Sequence, residues 1–327
     1  MIKVTLIIPV SMHEPLETVK SSLLNLKKLK VPNAVNLEFL YVIDINNGDE
    51  RKEYLKRNGA GVIENPPKSG KARTLNKAIH LTDSDYIGIL DIDARPDRNF
   101  IIESLRILEE NPELFGVSCR RYPTNRYLNR FTNALSMEYI FVEHTQRFFH
   151  LFSGFHLFNG PMGLFRGEML KKINFKGDVI CEDLDFLERA TLKGYRIYLT
   201  GKTGIGEEIP HNIYDYYNQK VRWLYGALTS LRNKLPLFIR SNISWRVKLS
   251  WILILASPFF GFIYSPLILL YLPVIFRRAK CLEDVILNVF GGIFLSLFIP
   301  YCGLVAMLRF LSGKRIEWKG LRRGKEI

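Results

Sequence analysis

Five clusters in this sequence have residue types and spacing that could do chemistry. Asp91-Ile92-Asp93 follows the apolar run YIGIL and precedes Ala94, Arg95 and Pro96. In extended geometry its two carboxylates leave the same side of the backbone. Such a pair holds a hard divalent cation, Mg2+ or Mn2+, directly or through water, against a diphosphate. D-x-D is common in proteins; the strand end ahead and the proline behind give it weight. Asp44 closes the run FLYVI, where a carboxylate accepts hydrogen bonds from a nucleobase or ribose, or caps the turn DINNGD. Cys181-Glu182-Asp183 opens an amphipathic stretch running to Lys193-Gly194-Tyr195 and a further strand. Acids there complement a helix dipole, or one of them deprotonates an incoming hydroxyl. In Gln219-Lys220-Val221-Arg222-Trp223, Gln219, Arg222 and Trp223 fall on adjoining faces of one helix. Arginine clamps phosphate oxygens in a fork and tryptophan gives sugars a flat face; an amphipathic helix on a membrane is the alternative. Lys71 starts a helix after Pro66 and Pro67, a place that suits an anionic ligand or a solvated side chain, and P-loop spacing is absent.

These residues need a scaffold, and hydropathy patterning supplies one. Short β-rich runs at residues 4–10, 39–45, 61–64, 86–91 and 116–118 alternate with helices starting near Pro15, Glu50, Gly70 and Asn99. The pattern predicts an α/β, doubly wound and mostly parallel sheet. Ligands of such sheets bind beyond the carboxyl ends of the strands, where Asp44 and Asp91 fall. No internal repeat or low-complexity linker interrupts it. The opening MIKVTLIIPV is too short for a signal-peptide core and reads as a buried first strand.

The last quarter is different. Residues 249–276 and 285–308 carry no charge, and each run exceeds the roughly 20 residues a helix needs to cross hydrocarbon. Pro258, Pro266 and Pro273 predict a kinked, re-entrant or interfacial first run. The expected division is a catalytic domain at residues 1–234, an interfacial amphipathic segment at 235–248, two transmembrane segments within 249–311, and a basic tail at 312–327. Positive charge in that tail predicts a multi-pass cell-membrane protein with tail and catalytic domain both cytoplasmic, although Arg277, Arg278 and Lys280 between the runs pull the other way. Residues 131–152 also mix apolar, aromatic and basic side chains and read as interfacial or as core helix. Across 327 residues, 46 Lys and Arg against 32 Asp and Glu give a charge of +14, which favours an anionic partner. No nucleic-acid motif appears, so a membrane surface and a diphosphate are the partners that charge serves. Cys119, Cys181, Cys281 and Cys302 have no metal spacing and read as reduced thiols facing the cytosol.

In order and spacing, Asp44, GKARTLN, DID, CED with KGY, and QKVRW resemble the family-2 glycosyltransferases. More narrowly they resemble the membrane-bound Q-x-x-R-W branch of cellulose, hyaluronan, chitin and mannan synthases and glucosylceramide synthase. The likeness covers roughly residues 4–230. It implies a Rossmann-like GT-A catalytic domain and inverting transfer from a nucleotide-diphosphate sugar, a UDP- or GDP-sugar. Carried over residue by residue, Asp44 holds the nucleoside, Lys71 lies in the nucleotide pocket, and Asp91 and Asp93 bind metal and diphosphate. Asp183, with Glu182 beside it, is the general base. Gln219, Arg222 and Trp223 serve acceptor and diphosphate, Pro9 and Glu14 lie where the first loop meets the base, and Asn159, Gly160 and Arg166 belong to an acceptor-side strand and turn. The sequence departs from the family at Ile45 and Asn46, where a second acid often follows Asp44, and in having at most two crossings.

The acceptor follows from the base. A phosphate acceptor is already an anion and needs no proton removed, so an intact acid pair with QKVRW favours a hydroxyl. Two helices cannot enclose a polymer pore, which makes a membrane lipid the expected acceptor and glycolipid synthesis the expected role. The alternatives are a polysaccharide synthase working as a homo-oligomer, a polyprenyl-phosphate sugar synthase, and a membrane-tethered nucleotide-sugar-binding protein without turnover.

Overall fold

A computed structural model describes residues 1–45, 48–67, 69–155 and 163–314. Asn159 and Gly160, expected on the acceptor side, lie outside the described residues. In chain order the first elements are β1 (Ile2–Val10), α1 (Leu16–Leu26), β2 (Val35–Asp44), α2 (Glu50–Arg57), β3 (Gly61–Asn65), α3 (Lys71–Leu81), β4 (Tyr86–Ile89) and β5 (Arg95–Pro96). Then come α4 (Phe100–Glu110), β6 (Leu114–Pro123), α5 (Arg130–Leu151), β7 (Gly163–Arg166), α6 (Gly167–Lys171), α7 (Glu182–Leu192) and β8 (Arg196–Glu207). The chain continues with α8 (Ile213–Arg240), α9 (Trp245–Ala256), a 3-10 helix (Ser257–Tyr271), α10 (Leu272–Arg278) and α11 (Leu282–Leu311).

Two compact units emerge, each described on its own: Met1–Arg121 with Leu157–Glu207, and Tyr122–His156 with Glu208–Ile327. The first is built on one sheet of strand order β3-β2-β1-β4-β7-β6-β8-β5. β1 is parallel to β2 and to β4, and β2 to β3, so these four strands end at the same edge. Beyond β4 the pairing turns antiparallel, at β4–β7, β6–β7 and β5–β8. An apolar run such as LIIPV suits β1, which has a strand on each side. Pro9 lacks a donor, and it sits past the last pair with β4, Ile7 with Ile89, where that donor is not needed on the β4 side. Val4, Leu6 and Ile8 pack with Leu23 and Leu26 of α1 and Phe100 and Leu105 of α4 in a buried core.

Strand ends differ from the hydropathy reading for local reasons. β2 starts four residues early because Val35 and Leu37 alternate with outward Asn36 and Glu38, a half-buried pattern. β4 stops at Ile89, and the Ala94 N–H donates to the Asp91 carbonyl at 2.9 Å. Asp91 and Asp93 therefore lie in a turn, and the extended geometry expected for DID does not apply.

The second unit is helical. Its core joins Leu135, Met137 and Ile140 of α5 to Tyr216, Ile268, Ile275 and Leu295. α8 begins at a true cap, Asn212 accepting from the Asp215 N–H at 2.9 Å, and continues through Pro236 to Arg240. At Ser257 and Pro258 the α-helical pattern gives way to 3-10, the interruption that prolines in the first apolar run predict. Trp245–Ile263 and Leu282–Leu311 are long and apolar enough to cross a membrane, by length and composition.

α11 has two unlike faces. Inward, Asp284 accepts from Asn133 Nδ2 at 2.8 Å, Asn288 Oδ1 faces Ser136 Oγ at 3.2 Å, and Gly291 meets the backbone of Ala134. Outward, Ile286, Phe290, Ile293, Leu297, Leu304 and Leu308 recur at helical spacing and are exposed.

Candidate active site

The carboxyl edge of the parallel strands brings together candidate residues of the first unit. Asp44 is the last residue of β2, and Lys71 opens α3 just after β3. Gly70, at φ +80°, occupies the left-handed region and lets the chain turn sharply into α3. Asp91 follows β4, and Glu182 and Asp183 form the first turn of α7, whose cap position, Cys181, makes no side-chain cap bond.

Lys71 gathers the acids. Its Nζ donates to Asp91 Oδ1 at 2.6 Å and lies 3.7 Å from Glu182 Oε1. Burial pulls the ammonium downward, but the charges of Asp91, Glu182 and Asp183 and the Asp91 hydrogen bond outweigh it, leaving Lys71 above its ordinary range. A cation thus sits among three acids contributed by two elements distant in sequence. Asp183 Oδ1 also accepts from the Leu184 N–H at 2.8 Å, while the neighbouring Asp185 is buried and paired with Arg189 at 2.7 Å, a structural contact. Asp93 is half-buried in the turn after Asp91. Among the described residues no three His, Cys, Asp or Glu side chains form a metal-holding group.

Asp44 is 8% exposed and its Oδ1 has no hydrogen-bond partner. Burial pushes its carboxyl above the ordinary carboxylate range, against a smaller downward pull from Arg51. A buried, unsatisfied acceptor costs stability and is suited to an incoming N–H or O–H donor. Because the folded chain binds that proton more tightly than the unfolded chain, stability is lost as pH rises from the ordinary carboxylate value through the raised one. Asp44→Asn is therefore expected to unfold at a higher temperature than the parent at neutral pH, with the gap closing in acid. Calorimetry at two pH values checks it; an equal gap at both would remove the burial explanation.

Gln219, Arg222 and Trp223 belong to the second unit, all half-buried on α8. Between them Lys220, 4% exposed, lies 4.1 Å from the Trp223 ring centroid and 4.7 Å from that of Tyr216. Its Nζ is ion-paired with Glu138 on α5, which also accepts from the Tyr216 hydroxyl at 2.7 Å. One ammonium so links the tryptophan of QKVRW to a neighbouring helix through a cation–π contact and a partly buried ion pair.

Lys71 thus contacts both Asp91 and Glu182, with Asp183 next to Glu182 in sequence and Asp93 two residues after Asp91. Pro9 is half-buried one residue before the end of β1, Glu14 is half-buried ahead of α1, and Arg166 Nε donates to the Leu114 carbonyl at 2.9 Å. Sequence reading missed Glu138 and Arg51. No spacing rule links Glu138 to a lysine 82 residues away.

Residues 86–310 match the family described as glycosyl transferase family group 2. Over 178 residues, 52% of this chain, it is 29% identical to the probable glucomannan 4-beta-mannosyltransferase 2 of Oryza sativa subsp. japonica, of which the match covers 30%. The probable glucomannan 4-beta-mannosyltransferase 9 of the same plant is 28% identical over 173 residues, 51% of this chain and 32% of that protein. The chain matches about a third of the length of these curated relatives. Among solved structures, mannosyltransferase PcManGT from Pyrobaculum calidifontis in complex with GDP-Man and Mn2+ superposes with a TM-score of 0.62 at 18% identity, covering 95% of this chain and 88% of that one. S. aureus TarS 1-349 in complex with UDP-GlcNAc gives 0.51 at 12% identity, covering 99% and 98%. At such identities the likeness shows a shared fold, the α/β GT-A-like sheet already described. With more than half its length matched, the chain belongs to glycosyl transferase family group 2 and is a glycosyltransferase.

Proposed function

We propose that this chain is an inverting transferase of the Q-x-x-R-W branch, moving a sugar from a UDP- or GDP-sugar to a hydroxyl acceptor, foremost a membrane lipid. The observation that carries the reading is the Lys71 ammonium held between Asp91 and Glu182, one residue from Asp183. The Lys71 ammonium suits a diphosphate oxygen, the surplus of acids around it suits a divalent cation, and a carboxylate beside it suits proton removal from an alcohol. Asp44 binds the nucleoside, near Pro9 and Glu14 of the first loop. Asp183 takes the acceptor proton, with Glu182 supporting it. Gln219 and Trp223 bind the acceptor, a role also proposed for Asn159 and Gly160. Arg222 steadies the departing diphosphate.

Asp91 and Asp93 would hold a divalent cation, Mg2+ or Mn2+. Two carboxylates from one turn fit an ion that takes its other ligands from substrate phosphates and water, not a preformed cage. The chemistry it supplies is neutralisation of charge on the diphosphate. The names of the rice relatives and of PcManGT make mannose the first sugar to test and GDP-mannose the first donor. Trp245–Ile263 and Leu282–Leu311 anchor the protein in the cell membrane as two crossings, with the catalytic unit cytoplasmic.

A second reading, polymer synthesis by an oligomer, is favoured by the glucomannan activity in the relatives' names. One experiment separates them: detergent-solubilised protein is incubated with a panel of nucleotide sugars and membrane lipid, and the lipid extract is analysed by mass. One added hexose on a lipid supports the lipid reading. A long product favours the polymer, and product only on polyprenyl phosphate would sink the hydroxyl acceptor.

A further inference from the structure

Arg51 stands outside every motif above, yet it is one of the most heavily bonded side chains in the first unit. It lies in the first turn of α2 and is 8% exposed. Nη1 donates to the carbonyl oxygens of Ser11 and Glu14, each at 2.8 Å. Nη2 donates to the Asp44 carbonyl at 3.3 Å and to Asp49 Oδ2 at 2.5 Å. Nε reaches Asp49 Oδ1 at 2.9 Å, and the Arg51 N–H donates to the same oxygen, also at 2.9 Å. The hydrogen bond from Arg51 holds Asp49 below its ordinary range, so the buried guanidinium is matched by a full negative charge.

Those acceptors lie on two different strand exits. Ser11 and Glu14 belong to the segment leaving β1, and Asp44 ends β2, its parallel neighbour. A planar fork can donate to both exits and to a carboxylate at once. An ammonium, with three donors on one atom, cannot span them.

We propose that Arg51 is a positioning residue for the donor's nucleoside: by tying the exit of β1 to the carbonyl of Asp44, it fixes the direction of the unpartnered Asp44 carboxylate oxygen. This rests on the reading of Asp44 as the nucleoside ligand. Arg51 does not touch the donor, and Lys71, Asp91 and Glu182 come from other elements. Its loss should therefore loosen donor binding and leave the chemical step alone.

The test is steady-state kinetics over a range of nucleotide sugar for Arg51→Lys, Asp44→Asn and the double variant, with circular dichroism on each. A small misplacement of a binding group costs up to about 10²-fold, so Arg51→Lys should raise donor KM by about 10- to 100-fold while kcat stays within about twofold. Because Arg51 acts through Asp44, the double variant should match Asp44→Asn alone. If Arg51→Lys fails to fold, Asp49→Asn reads the same split. It keeps the helix cap and the carbonyl bonds but removes the matching charge, and should raise KM by a smaller factor. A fall in kcat at constant KM, or effects that multiply in the double variant, overturns the proposal. An Asp44→Asn protein with unchanged donor KM instead overturns the nucleoside reading, and with it this one. An elevated KM for Asp44→Asn beside an unchanged one for Arg51→Lys sinks Arg51 alone.

Discussion

Replacing Asp183 with asparagine is expected to lower the transfer rate at saturating substrates by about 10²- to 10⁴-fold, the range a general base contributes, with donor KM little changed. The substitution is nearly isosteric. An asparagine Oδ1 still accepts from the Leu184 N–H, as Asp183 does at 2.8 Å, so the start of α7 survives. Lys71 keeps its contacts with Asp91 and Glu182. What disappears is the capacity to take a proton. Glu182→Gln gives the comparison: it removes an ion pair at 3.7 Å but leaves Asp91, so its effect should be the smaller. Initial rates of nucleoside diphosphate release measure both. A retained rate in Asp183→Asn would mean an acceptor that needs no deprotonation, and a deeper loss in Glu182→Gln would exchange the two roles.

Gly291→Val is expected to be the most destabilising single change in the helical unit. A Cβ at this position would lie 2.1 Å from the Ala134 carbonyl oxygen and 2.7 Å from its carbon. Both are backbone atoms of α5, so no rotamer relieves the clash and one helix must shift. Overpacking typically costs about 1–3 kcal/mol, occasionally more. A shift also strains the neighbouring bonds from Asn133 to Asp284 and between Ser136 and Asn288. Gly177→Ala is the control, since its Cβ would meet only Ala72 Cβ, at an ordinary 3.9 Å. Thermal unfolding of the solubilised protein should show a clear drop for the first and little for the second. Equal midpoints would mean that α5 and α11 do not pack this closely.

What the sequence made legible is what a period or a cap can encode. The apolar run of β1, the starts of α1, α2, α3 and α4, and the acids opening α7 all follow from local pattern. Pairing direction is another matter: hydropathy does not distinguish a strand parallel to β4 from β7, which runs against it. The DID motif announced its residues but not its shape, because the turn depends on a single bond from Ala94 to Asp91. Lys71 could be named as a candidate, yet its pairing with acids 20 and 111 residues away is a property of the folded sheet edge. Arg51 left no trace for a plainer reason. Three of the oxygens it binds are backbone carbonyls, which look the same in every sequence.

The lopsidedness of α11 fixes its roll. Successive residues of a helix are about 100° apart, so turning this one by a single step would swing Asp284 and Asn288 toward the side now occupied by Ile286 and Phe290. That exchange would take the carboxylate and the amide away from Asn133 and Ser136 of α5 and leave them without these hydrogen bonds. Those two bonds, with Gly291 against the Ala134 backbone, hold α11 in one rotational register on α5.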